Sequence, residues 1–303
     1  MEAELEELYA AYKPLLQSIA YRMLGSITDA EDMVQDVFAA MQRTPAGDVR
    51  HMKAYLVKMV TNRCLNVLKS AARQREVYVG PWLPEPDIGD VFSVPTMMTP
   101  EERAVREETV SYAVLVMLQQ LSPVERAVFV LREVLAYDYK EIAGILGKTE
   151  AGCRKIYSRL QPKLAPEPGS DRLKAVSSVT PADASPLVAA FLQASRTGDF
   201  QPFIHLLVDD AVLVSDGGGK VRAAIRPILG RDRVLAFLEG ISGKGSFQGE
   251  LRPARINGEA GLLLVRDGIL QAAVCFGWAD GGTSRWKTIY LITNPDKLQR
   301  LRS

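Results

Sequence analysis

Apolar residues recur with one period in the first half of this chain and with another in the last 120 or so, and that switch dictates its architecture. Near the start, Leu5, Leu8, Tyr12, Leu15, Leu16, Ile19 and Met23 stand at helical spacing. Gly25-Ser26 ends that run, with Thr28 or Asp29 placed to cap a second helix carrying Met33, Val34, Val37, Phe38 and Met41 on one face. A loop at Thr44–Asp48 leads to a third helix with Met52, Tyr55, Leu56, Met59, Val60, Leu65 and Leu68 inward. The segment Tyr78–Pro86 is too rich in proline for regular structure and reads as a linker. Helices resume near Pro100 and run to about Lys163, and a second linker carries Pro166, Pro168 and Gly169. Beyond it come two short helices (about 182–196 and 200–207) and a helix at about 231–241. Among them lie strand-like runs at Ala211–Ser215, Val221–Ile225, Gly249–Ile256, Gly261–Val265, Ile269–Trp278 and Ser284–Thr293. The expectation is an all-helical first half and an α+β domain with helices on one curved sheet, its later strands forming an antiparallel meander.

Composition is that of an ordinary globular protein: 47% hydrophobic and 24% charged over 303 residues, room for two to three domains. No apolar run is long enough to span a membrane. The acidic start, Met1-Glu2-Ala3-Glu4-Leu5-Glu6-Glu7, is unlike a secretory signal, so a cytoplasmic protein is expected. Cys64, Cys153 and Cys275 form neither a disulfide framework nor a CxxC pair, and with only His51 and His205 beside them no metal site and no cofactor is expected.

The net charge of +1 hides an alternation: −5 over residues 1–44, +6 over 45–75, −6 over 76–122, then +3 over 123–175 and +3 over 176–303. Basic stretches suit a polyanion and acidic ones a basic protein surface. The outer face of the third helix is polar and basic, with Lys53, Lys58, Thr61, Asn62, Arg63, Asn66 and Lys69, then Arg73 and Arg75.

A helix-turn-helix is written into residues 122–164. Ser122-Pro123 starts a helix, and Ile142, Ala143, Ile145 and Leu146 form the inner face of a short one. Gly147 permits the tight turn and Thr149 caps the next helix. That helix buries Cys153, Tyr157, Leu160 and Leu164, and turns Glu150, Arg154, Lys155, Ser158 and Arg159 outward. A polar, basic second helix can enter a major groove.

Tyr21-Arg22-Met23-Leu24-Gly25-Ser26 followed by Asp29-Ala30-Glu31-Asp32-Met33-Val34-Gln35-Asp36-Val37-Phe38 resembles the polymerase-binding helix of bacterial sigma factors. Ala54–Asn66 looks like the element that reads and melts the −10 promoter region, and the helix-turn-helix like the −35 reader. Their order resembles the extracytoplasmic-function sigma factors. Trp82-Leu83-Pro84-Glu85-Pro86, Asp216-Gly217-Gly218-Gly219-Lys220 and Asn294-Pro295-Asp296-Lys297-Leu298 are similar to a subgroup with a fused SnoaL-like domain. That domain has the cone-shaped α+β fold of nuclear-transport-factor-2-like proteins.

The resemblance implies a sigma-2 domain at 1–75, a linker at 76–107, a sigma-4 domain at 108–165, a linker at 166–180 and a regulatory domain at 181–303. It implies that Asp29, Glu31, Asp32, Gln35 and Asp36 meet the β′ clamp of core RNA polymerase, with a further contact at the β flap. Lys53, Lys58, Thr61, Asn62, Arg63, Asn66, Lys69 and Arg73 would meet single-stranded −10 DNA, with a flipped-base pocket near the loop at 44–52. Thr149, Glu150, Arg154, Lys155, Ser158 and Arg159 would meet duplex −35 DNA. Trp82, Pro84, Asp216 to Lys220 and Asn294 to Lys297 would serve regulation between domains.

Two readings of the acidic linker stay open: Glu76, Glu85, Asp87 and Asp90 mimicking nucleic acid in the polymerase cleft, or Trp82 anchoring the linker to the C-terminal domain. For that domain the acid–base candidates are His205, Asp209, Asp210 and Asp216, without an evident His–Asp pair, so no catalytic residue is assigned. Asp209-Asp210 reads as a turn signal and Asp216–Lys220 as a hairpin turn. A small-molecule ligand there is left open, and a free monomer is expected. The alternatives are a one-component ligand-responsive regulator using only the helix-turn-helix, and a bifunctional protein with an isomerase- or cyclase-type C-terminal domain.

Overall fold

The structure, a computed structural model, describes residues 2–42, 51–75, 78–88, 111–164, 185–278 and 286–299. These divide into two compact units, one built on the chain up to residue 75 and on 115–164, the other on 78–88, 111–114 and the chain from 185 onward. Among the described residues no helix is long and apolar enough to cross a membrane.

The first unit is helical. Helices α1 (Glu2–Leu24), α2 (Ile27–Met41) and α3 (Met52–Arg75) pack together. The cores of α1 and α2 are Leu16, Ile19, Met23, Ile27, Val34, Val37 and Phe38. Gly25, at φ 73°, ends α1, and its N–H reaches the Tyr21 carbonyl. Ser26, rather than Thr28 or Asp29, caps α2: its hydroxyl accepts the Asp29 N–H at 3.1 Å. The cap lies one residue after the glycine, because the chain re-enters helix without a longer turn.

Helix α4 (Tyr112–Gln119) leads to α5 (Pro123–Phe129), which widens into a π turn over Val130–Val134, then α6 (Tyr139–Leu146) and α7 (Glu150–Leu164). Capping boxes start two of these helices. Ser122 pairs with Glu125, with Pro123 in the first turn, and Asp138 pairs with Glu141. Gly147, left-handed at φ 62°, closes α6, and the Thr149 hydroxyl accepts the Gly152 N–H. The expected helix-turn-helix is therefore formed.

The second unit is a six-stranded sheet with helices. Its strands are β1 (Leu207–Asp216), β2 (Ile228–Leu229), β3 (Glu250–Ile256), β4 (Glu259–Arg266), β5 (Ile269–Trp278) and β6 (Trp286–Ile292), in the order β2-β1-β6-β5-β4-β3. The run β3 to β6 is the expected antiparallel meander, and β1 joins β6 in parallel. Helices α8 (Ser185–Thr197), α9 (Gln201–Ile204) and α10 (Arg231–Ser242) supply the core on one face, where Phe191 meets Phe200, Phe203, Phe247 and Phe276 edge-on. A last turn, α11, spans Pro295–Leu298.

Two further expectations fail. Val221–Ile225 is not a strand; the short strand there is β2, and the β-branched residues of the loop are exposed. Asp209 and Asp210 lie inside β1, not in a turn, because each has a cation to pair with: Arg231 at 2.8 Å and Lys287 at 2.8 Å.

Candidate nucleic-acid interface and linker clamp

On α2 the polar side is open. Asp29, Asp32, Gln35 and Asp36 are exposed and Glu31 is half-buried, while Ala30, Val34 and Val37 face inward. Four carboxylates on less than three turns leave a strongly negative strip.

On α3, Lys53, Lys58, Asn66 and Lys69 are exposed, and Asn62 and Arg63 are half-buried. Thr61 is not on that face. It is fully buried, because it falls on the inward stripe of Val57, Thr61, Cys64 and Leu68. Its hydroxyl has no hydrogen-bond partner. Burial also pushes the Cys64 thiol beside it up to about 12, so this cysteine is a packing residue. The side chain of Arg73, and the expected base pocket near 44–52 apart from its last two residues, fall outside the described residues.

Asn62 is turned to the helix-turn-helix: its side-chain amide donates to the Ile145 carbonyl near the end of α6, at 3.4 Å. A second tie lies deeper. Arg126 on α5, 2% exposed, donates to the Met23 carbonyl at the end of α1, to Gln119 Oε1 at 2.8 Å and to the Leu121 carbonyl. Sequence reasoning missed Arg126, since nothing in a helical pattern distinguishes a buried arginine from a surface one. In this unit the −10 candidate helix and the −35 candidate motif are thus in direct contact.

On α7 all six candidates, Thr149, Glu150, Arg154, Lys155, Ser158 and Arg159, are exposed. Arg154 is held by Glu150 at 2.5 Å and lies 5.0 Å over the Tyr139 ring. Hydrogen bonding to Glu150 holds its pKa above the usual arginine value. Tyr157 is half-buried and donates to Glu133 at 2.5 Å.

The second unit gathers the remaining motif residues at one place. Asp216, 1% exposed at the end of β1, accepts hydrogen bonds from Lys297 Nζ at 2.6 Å, the Leu83 N–H at 2.8 Å, the Tyr78 hydroxyl at 2.6 Å and the Gly218 N–H at 2.9 Å. Lys297 also donates to the Leu83 carbonyl and lies 4.1 Å over the Trp82 ring. Asn294 caps α11 by accepting the Asp296 N–H and gives its amide to the Tyr78 oxygen at 2.9 Å. Pro295 stands in the first turn of α11. Lys220 pairs with Asp296 at 2.6 Å. The backbone needs glycine here: a Cβ on Gly217 would sit 2.1 Å from the Val221 carbonyl oxygen, and one on Gly218 within 2.4 Å of the Asn294 amide. Gly219 approaches Val79. Asp216–Lys220 is thus a turn, though not that of a tight hairpin, since the strand paired with β1 starts only at Ile228, and it forms part of a clamp around residues 78–83.

Further along the linker, Tyr112 donates its hydroxyl to the Pro84 carbonyl at 2.7 Å, and Asp87 exchanges two backbone-directed bonds with Asn257. Burial, then hydrogen bonding to Asp216, drives the Tyr78 phenol well above the usual tyrosine range. Tyr112 and Asn257 were not singled out from sequence, and Tyr78 entered only as the first residue of the proline-rich segment; Asp87 was read as a linker charge and Leu83 as part of a motif, neither as a backbone contact to the sheet. An aromatic residue in a proline-rich segment, Tyr78 beside Trp82, was the available signal.

The acid–base candidates of this domain do not converge. His205 is exposed, Asp209 and Asp210 are paired with Arg231 and Lys287, and Asp216 is occupied by the clamp. Among the described residues no group of three or more His, Cys, Asp or Glu could hold a metal ion.

Comparison with known proteins matches residues 8–74 to Sigma-70 region 2 and 111–160 to Sigma-70, region 4. Among curated relatives, the ECF RNA polymerase sigma factor SigJ of Mycobacterium tuberculosis is 33% identical over 257 residues, 84% of this chain and 78% of that protein. The probable ECF sigma factor SigI of the same species is 31% identical over 66% of this chain and 65% of its own length. The crystal structure of SigJ aligns with 97% of this chain and 98% of its own, at TM-score 0.69 and 28% identity. The helical regions followed by a sheet domain fit a SnoaL-like fold.

Proposed function

Because this chain belongs to the extracytoplasmic-function RNA polymerase sigma factors, which direct transcription initiation and are not enzymes, we propose a division of labour among its parts. Residues 1–75 form the sigma-2 domain, 108–165 the sigma-4 domain and 181–303 a regulatory SnoaL-like domain without an activity of its own. The strip Asp29, Glu31, Asp32, Gln35 and Asp36 docks on a basic clamp of core polymerase, the β′ coiled coil in this family, while sigma-4 engages the β flap. Opposite charge there speeds docking and fixes its orientation. Lys53, Lys58, Arg63, Lys69 and Arg73 hold phosphates near the −10 element, and Asn62 and Asn66 bond to its bases. Thr61, being on the inward stripe, supports α3 from behind. The exposed residues of α7 read the −35 element in the major groove. The work is that of a cytoplasmic protein, with opening driven by binding energy in place of ATP.

The observation that carries this reading furthest is the Asn62–Ile145 contact. The two promoter elements are about 25 base pairs apart, about 85 Å along B-DNA, yet their readers touch here. The form described is therefore the resting form, and promoter engagement parts sigma-2 from sigma-4. The linker between them is what the clamp of Asp216, Lys297 and Asn294 holds at Tyr78 and Leu83, so the C-terminal domain regulates by controlling linker length and freedom.

Run-off transcription with purified core polymerase tests the proposal, comparing the full chain with a version ending near Ala165 on a promoter library. Initiation from a defined start site supports it, and the difference between the two forms gives the sign of the C-terminal domain's effect. If neither form initiates while the chain still binds duplex DNA alone, a one-component regulator is the better reading.

A further inference from the structure

The sheet of the second unit has a half-buried acid, one of its oxygens closed to solvent, that neither the core nor the clamp requires. Glu259 opens β4. Its carboxylate accepts the backbone N–H of Tyr112, and the other oxygen, Oε2, is shut off from solvent with no hydrogen-bond partner. Within electrostatic reach of it on β5 is Cys275, 3% exposed, whose thiol is pushed far up by burial and by the Glu259 charge. From the covering segment comes Tyr112, fully buried, with its phenol on the Pro84 carbonyl. From β6 comes Tyr290, edge-on to the Tyr112 ring at 5.4 Å. On β3, Arg255 is exposed and its guanidinium is spent on the Gly258 carbonyl at 2.9 Å. No cation among the described residues pairs with Glu259.

A carboxyl in that setting is easy to keep neutral and costly to ionise. Tyr112 is also the residue through which the chain at 111–114 grips the linker at Pro84. We propose that Glu259 is a proton-operated latch on the linker: neutral, it stays beneath Tyr112 and the segment lies on the sheet; ionised, it draws in water, parts Tyr112 from β4 and frees the linker at Pro84. Burial raises its pKa to about 8 against the pull of the Tyr112 N–H, which places the change at mildly alkaline pH. The ordinary value, 4.5, returns once the segment lifts off. One proton linked to the opening then shifts its equilibrium toward release by up to about tenfold per pH unit below 8. The inference rests on the reading of the C-terminal domain as the linker's regulator and names the residue through which conditions reach it.

The test is amide hydrogen exchange at Tyr112 in the full chain, from pH 6 to 9, corrected for the intrinsic rate. Protection in the wild type is expected to fall roughly tenfold between pH 7 and 9, and in Glu259→Gln to stay level. An infrared difference titration of wild type gives the ionisation of Glu259 directly and needs no variant to fold. Level protection in the wild type, or an equal slope in Glu259→Gln, overturns the latch. Run-off transcription at about pH 6.5 and about pH 8.5 is read beside Asp216→Asn, which opens the clamp by another route. A pH response in the same direction as that variant supports latch and regulator together. A pH-dependent Tyr112 with unresponsive transcription leaves the latch standing and removes the regulator reading.

Discussion

At Asp216 four donors converge on one buried carboxylate, and three of them come from residues 78–83 or from Lys297. Removing the cation strands that charge. Lys297→Met is expected to lower the stability of the sheet unit by about 3–5 kcal/mol, the usual result of leaving a buried charge unpaired. Denaturant unfolding followed by tryptophan fluorescence measures it, and a loss under about 1 kcal/mol would show that water already satisfies Asp216. Gly218 makes a different demand. Its φ of 63° and the nearness of Asn294 mean that Gly218→Ala strains the turn and displaces the Asn294 amide from Tyr78. The expected cost is about 1–3 kcal/mol, with loss of the Tyr78 hydroxyl's protection in exchange or NMR. A sequence reader sees Asp-Gly-Gly-Gly-Lys as a hairpin turn; a turn is there, but no strand follows it directly. That its aspartate is buried depends on Tyr78 and Lys297, 138 and 81 residues away, and no local pattern carries that information.

The elements whose determinants are local were the ones legible in advance. The helix-turn-helix announces itself through Asp138 with Glu141, Gly147, and the inward Ile142, Ala143 and Ile145, all within ten residues. The meander from β3 to β6 was equally readable, because Gly249, Gly258 and Gly268 punctuate its strand-like runs. Val221–Ile225 was misread for the same reason in reverse: its β-branched residues suit a strand, but the turn at Gly217–Gly219 leaves them on the surface with no strand to pair. Thr61 was misassigned because a polar residue on a helix was taken for an outward one; its spacing from Val57 and Cys64 decides otherwise. On α7, Arg154 is engaged by Glu150 and stacked on Tyr139 before any DNA arrives. Glu150→Ala should therefore raise affinity for −35 duplex and steepen its salt dependence by about one counterion, whereas Arg154→Ala should weaken binding roughly tenfold. Salt titrations of binding separate the two, and equal slopes in both variants would remove Arg154 from the interface. On α3, exposed Lys58 is expected to act on phosphate, so Lys58→Ala should slow promoter opening while leaving duplex −35 binding unchanged; permanganate footprinting reads the first and a binding titration the second.

For the molecule as a whole, the proposed roles of α3 and α7 together with the contact between α3 and α6 call for a large rearrangement on the promoter. Dyes placed on exposed Lys69 and Ser158 through cysteine substitution report it, since Cys64 and Cys153 are buried and Cys275 is too. Energy transfer should be high in the free protein and lost with core polymerase and promoter, as the readers move toward a separation of about 85 Å. Unchanged transfer in a transcriptionally active complex would contradict the resting-form interpretation. Glu259 adds a pH dependence to stability. Its folded pKa is raised, so the neutral acid's contribution is present in full below about 4.5 and is lost as pH rises through about 8. The unfolding midpoint of the sheet unit should fall across that window in wild type and stay level over it in Glu259→Gln.

The position of β6 between β1 and β5 has a consequence in time. That strand and Lys297 after it are among the last parts of the described chain to leave the ribosome, while α7 is complete at Leu164. At about 5–20 residues per second, the helices proposed to read DNA exist for roughly 7–27 s before the residue that closes the clamp is made. Each newly synthesised copy thus passes through an interval in which nothing yet holds the linker, and a ribosome that stalls between α7 and β6 yields a product with both helical regions and no clamp.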